Sequence, residues 1–425
     1  MDIQIHPGKL RGEIAAPPSK SAAHRALICA ALADGESRIG GISFSQDIQA
    51  TLGAVQALGA GVEADEEAGN VVIRGIQAPF PADSASPRRI DCRESGSTLR
   101  FLLPLLPALG LEAEFTGKGR LPQRPIGVLA DELIRHGAAF SQTEGLPCTV
   151  RGKLKPGRYL LPGNVSSQFF SGLLFALPLL GGDSEVFFTR PLESAGYVEM
   201  TLGALEESGV RASLTPEGLS IPGRQQYRPF RQTVEADYSN AAFWLCAAAL
   251  GSPLSCSGLA ARSRQPDRAV LAILEEMGAQ AAFSDGVARI TGDRLHAVEI
   301  DCSPIPDLVP VLAVTAACAE GTTVFQNARR LRLKECDRLH AVADGLTRLG
   351  AEAVEEEDRL LVRGGRPLRG GAVEGYNDHR IVMAMAIAAT VCEGPVVISG
   401  AEAVEKSYPD FFQQFQQLGG SCHVL

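Results

Sequence analysis

Residues Pro17 to Gly35, PPSKSAAHRALICAALADG, place Lys20, Ser21 and Arg25 at the head of an almost wholly apolar segment that closes on a glycine. The layout returns five times: SGSTLRFLLPLLPALG (Ser95 to Gly110), SSQFFSGLLFALPLLG (Ser166 to Gly181), YSNAAFWLCAAALG (Tyr238 to Gly251), PDLVPVLAVTAACAEG (Pro306 to Gly321) and NDHRIVMAMAIAATVCEG (Asn377 to Gly394). Successive closing glycines lie 75, 71, 70, 70 and 73 residues apart, which marks an internal repeat. A helix that is apolar on every face is buried. Its N-terminus offers unpaired N–H groups and a partial positive charge, so a cationic or hydroxyl-rich head there suits anions.

Each apolar segment is followed by an amphipathic helix pattern that stops at a glycine (Gly59, Gly137, Gly209, Gly278, Gly350 and Gly419) and leads into an alternating hairpin. AQAAFSDGVARITG, after Gly278, reads as strand, turn at Asp285-Gly286, strand, and AEAVEEEDRLLVRG, after Gly350, reads the same way. Length suggests about three domains, but a six-fold repeat favours two domains of three units. The sixth copy ends at GSCHVL before a second hairpin strand can form, while IQIH near the amino terminus belongs to no complete unit. The termini are therefore expected to complete one discontinuous domain, residues 1–18 plus 235–425. A continuous domain, 19–234, would be joined to it by two crossings near Pro18 and Glu235, a natural hinge.

A composition of 45% hydrophobic and 21% charged residues is that of an ordinary soluble globular chain, and a net charge of −9 disfavours a general binder of nucleic acid. No apolar run is long enough to span a membrane, and MDIQIHPGKLRGE lacks the pattern of a secretory leader, so a cytoplasmic location is expected. Ten cysteines occur without a CxxC pair, and Cys29, Cys246, Cys318 and Cys392 fall in the apolar segments; core thiols are expected rather than metal ligands or disulfides.

The polar heads carry the chemistry. Lysine and arginine are electrostatically unfavourable at a helix N-terminus, which points to a function for Lys20 and Arg25, and likewise for His379 and Arg380 in NDHR. Arg120 and Arg124 in GKGRLPQRPIG precede Pro125, read as opening a helix, and the alternative is a solvated loop. Ser166, Ser167 and Gln168 supply more donors than helix capping needs. Asp307 is either an N-cap or a functional carboxylate. In RRLRLKECDRLH (Arg329 to His340), Glu335 and Asp337 among Lys334 and Arg338 are either functional or partners in internal ion pairs, and the segment opens a helix at Asp337. Lys406, in VEKSYPDFF, is weak when read alone. No GxxxxGK[ST], HExxH or GxSxG is present, which argues against nucleotide hydrolysis, zinc proteolysis and serine esterase chemistry.

With PPSKSAAHR, SGSTLR, GRLPQRPIG, NVSSQF, ESAGY, IPD, LKECDRL, YNDHR and EKSYPDFF in this order, the chain resembles the 5-enolpyruvylshikimate-3-phosphate (EPSP) synthase family over nearly its whole length. The resemblance implies an α/β fold of two similar domains, each of three βαβαββ units in an inside-out α/β barrel, closing over a central cleft. It also implies transfer of the enolpyruvyl group of phosphoenolpyruvate to the 5-hydroxyl of shikimate 3-phosphate, with release of phosphate, in the route to chorismate and the aromatic amino acids. No cofactor, metal, nucleic acid or membrane partner is implied, and a monomer is expected. By that resemblance Lys20, Gly96, Arg124, Gln168 and Lys406 surround the phosphoenolpyruvate phosphate, and Arg338 and Arg380 take its carboxylate. Lys20, Ser21, Arg25, Ser166, Ser167, Gln168, Ser194 and Tyr197 bind shikimate 3-phosphate, with Asp307 and Lys334 near the attacking hydroxyl. Asp307 would be the base and Glu335 the acid; Lys20, Lys334 and His379 complete the catalytic set. The same resemblance makes glyphosate a competitor of phosphoenolpyruvate, with Gly96 leaving its pocket open. Two positions depart from the family pattern: Glu94 and Arg330 stand where Asn is common.

Two other functions bear comparison. The sister transferase that acts on UDP-N-acetylglucosamine has Lys-Asn where this chain has Lys20-Ser21, and carries a reactive Cys in the loop corresponding to Gly117–Gly127, where this sequence has none. A non-catalytic repeat that only binds phosphorylated metabolites gains nothing from Asp307 and Glu335 among its cations.

Overall fold

The computed structural model describes residues 1–76 and 87–425. Twelve helices alternate along these residues: α1 (Lys20–Leu32), α2 (Gln46–Ala57), α3 (Gly96–Leu109), α4 (Gly127–Arg135), α5 (Ser167–Ala176), α6 (Ala195–Glu207), α7 (Tyr238–Ala249), α8 (Val270–Glu276), α9 (Val309–Ala317), α10 (Arg338–Arg348), α11 (His379–Ala389) and α12 (Phe411–Gln417). The odd-numbered helices are the apolar segments of the repeat, and α7 is buried along its entire length. The even-numbered helices are the amphipathic partners. The six glycines that stop them all take positive φ, from 77° at Gly209 to 104° at Gly59, a conformation that costs any other L-residue strain.

The chain divides into two compact units, Lys20–Val234 and Met1–Ser19 with Glu235–Leu425, and each contains three four-stranded mixed sheets. In the sheet that follows the common plan most plainly, Arg88–Asp91 runs parallel to Ala113–Thr116 across α3, which pairs antiparallel with Cys148–Gly152 and so with the hairpin strand Ala138–Phe140. In the Gln280–Ser284 and Val287–Thr291 hairpin the turn residues Asp285 and Gly286 both have positive φ (51° and 75°), the type I′ geometry that matches strand twist. Ile3–His6 pairs with both Val396–Ser399 and Ser421–Val424, taking the hairpin position that the end of the chain leaves open.

Two strands are exchanged around the crossings. Gly12–Ala15 precedes α1 but lies parallel to Leu254–Ser257, the strand after α7. Arg231–Thr233 precedes α7 but lies parallel to Glu36–Gly40, the strand after α1. The crossings themselves are hydrogen-bonded to each other: Asp237 N donates to Pro17 O (2.8 Å) and Ser19 N to Glu235 O (2.7 Å).

The core of the Lys20–Val234 unit forms around α3 and α5, which touch backbone to backbone: a β-carbon on Gly172 would lie 2.4 Å from Arg100 O, so only glycine permits the approach. In the other unit Trp244 of α7 stacks on Phe411 at 5.0 Å and donates to the Tyr408 hydroxyl at 3.1 Å. Nine of the ten cysteines are buried and all are free thiols; Cys318 and Cys392 lie just past the ends of α9 and α11 rather than inside them.

Candidate active site

In each unit, polar side chains at several helix heads bond to one another. In the Lys20–Val234 unit Lys20 is the first residue of α1, and its Nζ pairs with Asp47 Oδ2 of α2 at 2.8 Å. Arg25, one turn on, is buried and ties α1 to α6. Its Nη1 donates to Ser21 O (2.6 Å), Nε to Thr201 Oγ1 (2.8 Å) and Nη2 to Tyr197 O (2.8 Å). Burial without a carboxylate partner lowers the Arg25 pKa to about 10, which leaves it charged at neutral pH.

Gly96 opens α3 behind its N-cap, Ser95. The guanidinium groups of Arg124 and Arg100 lie directly over it: a β-carbon there would come within 2.6 Å of Arg124 Nη1 and 2.9 Å of Arg100 Nη1. Arg100 Nη1 donates to Gln168 Oε1 (2.8 Å), and Gln168 Nε2 donates to Ser97 Oγ (2.9 Å), so the head of α5 is locked to that of α3. Ser166 caps α5 by accepting from Gln168 N, and Ser167 is its first residue. Ser194 precedes α6 with a left-handed backbone, φ 56°, and makes no capping bond; Tyr197 lies in the first turn. The helix expected to open at Pro125 begins two residues later at Gly127, because Leu121–Gln123 forms a separate 3₁₀ turn and Arg124 leaves it extended.

In the other unit Arg338 is almost wholly buried among three carboxylates. Its Nε donates to Asp378 Oδ2 (2.7 Å), Nη1 to Asp307 Oδ1 (2.7 Å) and Nη2 to Glu335 Oε2 (2.7 Å). Asp307 also pairs with Lys334 Nζ (3.2 Å) and Arg380 Nη2 (3.2 Å). It is not the cap of α9, which begins two residues later behind Leu308. Burial alone would raise the Asp307 carboxyl, but Arg380, Lys334 and Arg338 together hold it well below the usual carboxylate range. Burial lowers the Lys334 ammonium to about 8, with Asp307 opposing and Arg338 and Arg330 assisting. Burial would also lower Arg338, yet Asp378, Glu335 and Asp307 raise it well above its ordinary value. Asp337 caps α10 and pairs with Arg332 at 2.8 Å, whereas Glu335 pairs with Arg338; both ionic roles open at the sequence level are realised.

Asp378 caps α11 by accepting from Arg380 N, which puts His379, itself buried, at the first helical position. Tyr376 and Asn377 are both left-handed (φ 51° and 50°), a double turn that aims Asn377 O at Lys406 Nζ, 2.6 Å away. Both departures from the family pattern touch these clusters. Glu94 packs its carboxylate against Gly119 in the Arg120 loop, and the charge of Arg330 reaches Lys334.

The expected residues Lys20, Ser21, Arg25, Gly96, Arg124, Ser166, Ser167, Gln168, Ser194 and Tyr197 thus lie in one unit, and Asp307, Lys334, Glu335, Arg338, His379, Arg380 and Lys406 in the other. Sequence reasoning missed Asp47, Arg100 and Asp378. Arg100 had a signal, the one charge in an otherwise apolar helix, while Asp47 had none beyond standing in a helix first turn.

Three comparisons with known proteins agree. The family description EPSP synthase (3-phosphoshikimate 1-carboxyvinyltransferase) matches residues 5–415. The chain is 44% identical over 421 residues to a 3-phosphoshikimate 1-carboxyvinyltransferase of Clostridium kluyveri, covering 98% of this chain and 97% of that one. An EPSP synthase structure from Acinetobacter baumannii superposes with a TM-score of 0.82 at 28% identity, covering 100% of both chains. The enolpyruvyl transferase NikO from Streptomyces tendae (TM-score 0.80, 20% identity, 99% of this chain and 98% of that one) shares the fold. From the match along residues 5–415 and the near full-length identity to the Clostridium protein, the chain belongs to the EPSP synthase (3-phosphoshikimate 1-carboxyvinyltransferase) family.

Proposed function

We propose that the chain transfers the enolpyruvyl group of phosphoenolpyruvate to the 5-hydroxyl of shikimate 3-phosphate and releases phosphate. Family membership supports the reaction, and one observation carries the site: Asp307 and Glu335, two carboxylates, stand inside a cluster of Lys334, Arg338 and Arg380. A protein that only collected anions would be weakened by them.

Two phosphates and a carboxylate repel one another, and a single opposing charge at 4 Å contributes roughly 4 kcal/mol at an effective dielectric near 20, so several cations are needed. We assign Lys20, Gly96, Arg124, Gln168 and Lys406 to the phosphoenolpyruvate phosphate and Arg338 and Arg380 to its carboxylate. Arg100, bonded to Gln168, joins the first set. Lys20, Ser21, Arg25, Ser166, Ser167, Gln168, Ser194 and Tyr197 are assigned to shikimate 3-phosphate, with Asp307 and Lys334 at its 5-hydroxyl. Arg25 would bind as a strongly braced cation.

In the addition, the hydroxyl oxygen bonds to C2 of phosphoenolpyruvate, Asp307 takes the hydroxyl proton, and Glu335 gives a proton to the methylene. Its three cations keep Asp307 ionised, and it gains basicity as the substrate anions draw those cations away. Arg338 now grips Glu335, and a substrate carboxylate that accepts from the same guanidinium loosens that grip. In the elimination the C2–O bond to phosphate breaks, Lys20 and Lys406 stabilise the leaving charge, and the methyl gives a proton back to the Glu335 carboxylate to leave the enolpyruvyl ether. His379, buried beside Asp378 at the head of α11, stays in the catalytic set of this assignment.

We propose a cytoplasmic location, since both substrates are charged metabolites that do not cross membranes unaided, and a monomeric enzyme. No helix among the described residues is long and apolar enough to cross a membrane. The test is phosphate release from phosphoenolpyruvate with shikimate 3-phosphate or UDP-N-acetylglucosamine as acceptor. Release with the sugar nucleotide alone would overturn the assignment.

A further inference from the structure

Beneath Lys20 runs a buried chain of hydrogen bonds that the reaction does not use. His24 Nδ1 lies 2.7 Å from Thr51 Oγ1, Thr51 Oγ1 lies 2.7 Å from Thr98 Oγ1, and Thr98 Oγ1 donates to Ser95 Oγ at 2.8 Å. All four residues are buried. The last bond sets the direction of the rest. Because the Thr98 hydroxyl proton goes to Ser95, Thr51 must donate to Thr98, and its oxygen must then accept from His24. His24 is therefore the neutral tautomer with its proton on Nδ1. Its Nε2, the ring atom with no hydrogen-bond partner, is a bare acceptor, and the ring meets Phe101 edge-on. Charging the ring would bury a second, unsatisfied N–H beside Lys20 and Arg25; burial first, and then these two cations, hold the imidazole well below its usual pKa.

The spacing connects this chain to the site. Lys20 and His24 are four apart on α1, Asp47 and Thr51 are four apart on α2, and residues at that spacing share a helix face. The Lys20–Asp47 ion pair and the His24–Thr51 bond are thus two successive rungs between the same two helices. The second rung continues to α3 and ends on Ser95, the cap that precedes Gly96.

We propose that His24 is a positioning residue: as a neutral Nδ1–H donor it locks α1 to α2 and α3 through Thr51 and Thr98, and so holds Lys20 at Asp47 and in line with the head of α3. The consequence for catalysis rests on the assignment of Lys20 to phosphoenolpyruvate. A hydrocarbon of similar size at position 24 removes the donor, whereas Asn places an amide N–H close to where Nδ1 stands.

The experiment compares wild type with His24→Leu and His24→Asn in two readouts. The first is trace acetylation of the folded protein with acetic anhydride, in which mass spectrometry follows the Lys20 amine against the other lysines. The second is steady-state kinetics. His24→Leu should label Lys20 severalfold faster, raise KM for phosphoenolpyruvate about tenfold and, because Lys20 also stabilises the leaving phosphate, lower kcat as well. His24→Asn should stay near wild type in both. If His24→Leu does not yield folded protein, Thr51→Val, which removes the same link with little change of shape, carries the same expectations. Unchanged Lys20 labelling and KM in His24→Leu, or an Asn variant as impaired as the Leu variant, would overturn the proposal and leave His24 a core residue. A wild-type protein inactive with both acceptors would instead overturn the functional assignment, while the labelling still decides the role of His24.

Discussion

The Arg338 guanidinium donates Nε–H to Asp378 Oδ2 at 2.7 Å, and both side chains are closed to solvent. Asp378 also caps α11, so one carboxylate fixes both an arginine of the site and the helix that presents His379 and Arg380. Removing one partner of such a pair leaves the other buried and uncompensated. Asp378→Ala should therefore destabilise the protein by about 3–5 kcal/mol, read as an earlier urea transition. Asp378→Asn keeps the cap acceptor and should lose less. Equal losses would show that the ion pair, and not the cap, is what matters.

Lys334 gives the site a pH limit. With its pKa lowered to about 8 from 10.5, Lys334 is charged below pH 8 and neutral above it, so its hold on Asp307 is complete at neutral pH and lost on the alkaline side. Activity that depends on this cation should fall as pH rises through about 8. Stability should move the other way between pH 8 and 10.5, because there the unfolded chain binds the proton that the folded one has lost. Lys334→Arg should move the alkaline limb of kcat/KM upward; a limb unmoved by that change belongs to another group.

Gly96 meets two arginines at once. The methyl of Gly96→Ala would stand 2.6 Å from Arg124 Nη1 and 2.9 Å from Arg100 Nη1, so both guanidinium groups must move. Misplacing them should weaken phosphoenolpyruvate by about ten- to a hundredfold, and glyphosate equally if it competes for the same pocket, while KM for shikimate 3-phosphate changes far less. Inhibition constants measured at several phosphoenolpyruvate concentrations test this. Inhibition independent of the donor would place glyphosate elsewhere.

Glu335→Gln preserves shape and keeps an acceptor for Arg338 but removes the titratable proton. If Glu335 protonates the methylene, kcat should drop about 10²–10⁴-fold with little change in KM for phosphoenolpyruvate, and solvent deuterium should enter the methyl group more slowly. Normal turnover would leave Glu335 as an ion-pair partner alone. Asp307→Asn should also slow turnover, and by freeing three cations from their shared carboxylate it should alter shikimate 3-phosphate binding as well.

Much of this molecule is legible one segment at a time. Helices apolar on all sides, glycines that stop their amphipathic partners, and an Asp285-Gly286 turn are written in local periodicity and backbone preference, which need no distant contact to be read. The cations and hydroxyls at the helix heads are legible for the same reason: they break a pattern. What a side chain does after the chain folds is not local. Lys20 and Arg25 look alike as cations at a helix start, yet one pairs with Asp47 and the other is buried among hydroxyl and carbonyl oxygens. Asp307 reads as a plausible cap, and only the convergence of Lys334, Arg338 and Arg380 on it decides otherwise.

By itself, then, the sequence determined the six-fold repeat, its buried and amphipathic helices and the polar residue types at their heads, because propensity and hydrophobic period act over a few residues. Tertiary structure alone decided which strands pair across the crossings, placing Gly12–Ala15 beside Leu254–Ser257 and Arg231–Thr233 beside Glu36–Gly40. It alone joined His24 to Thr51, and Arg338 to Asp378, over tens of residues. Backbone hydrogen bonds are the same for any strand pair, and a buried charge or donor accepts whichever partner packing brings within reach, so these choices belong to the whole fold and to no segment of it.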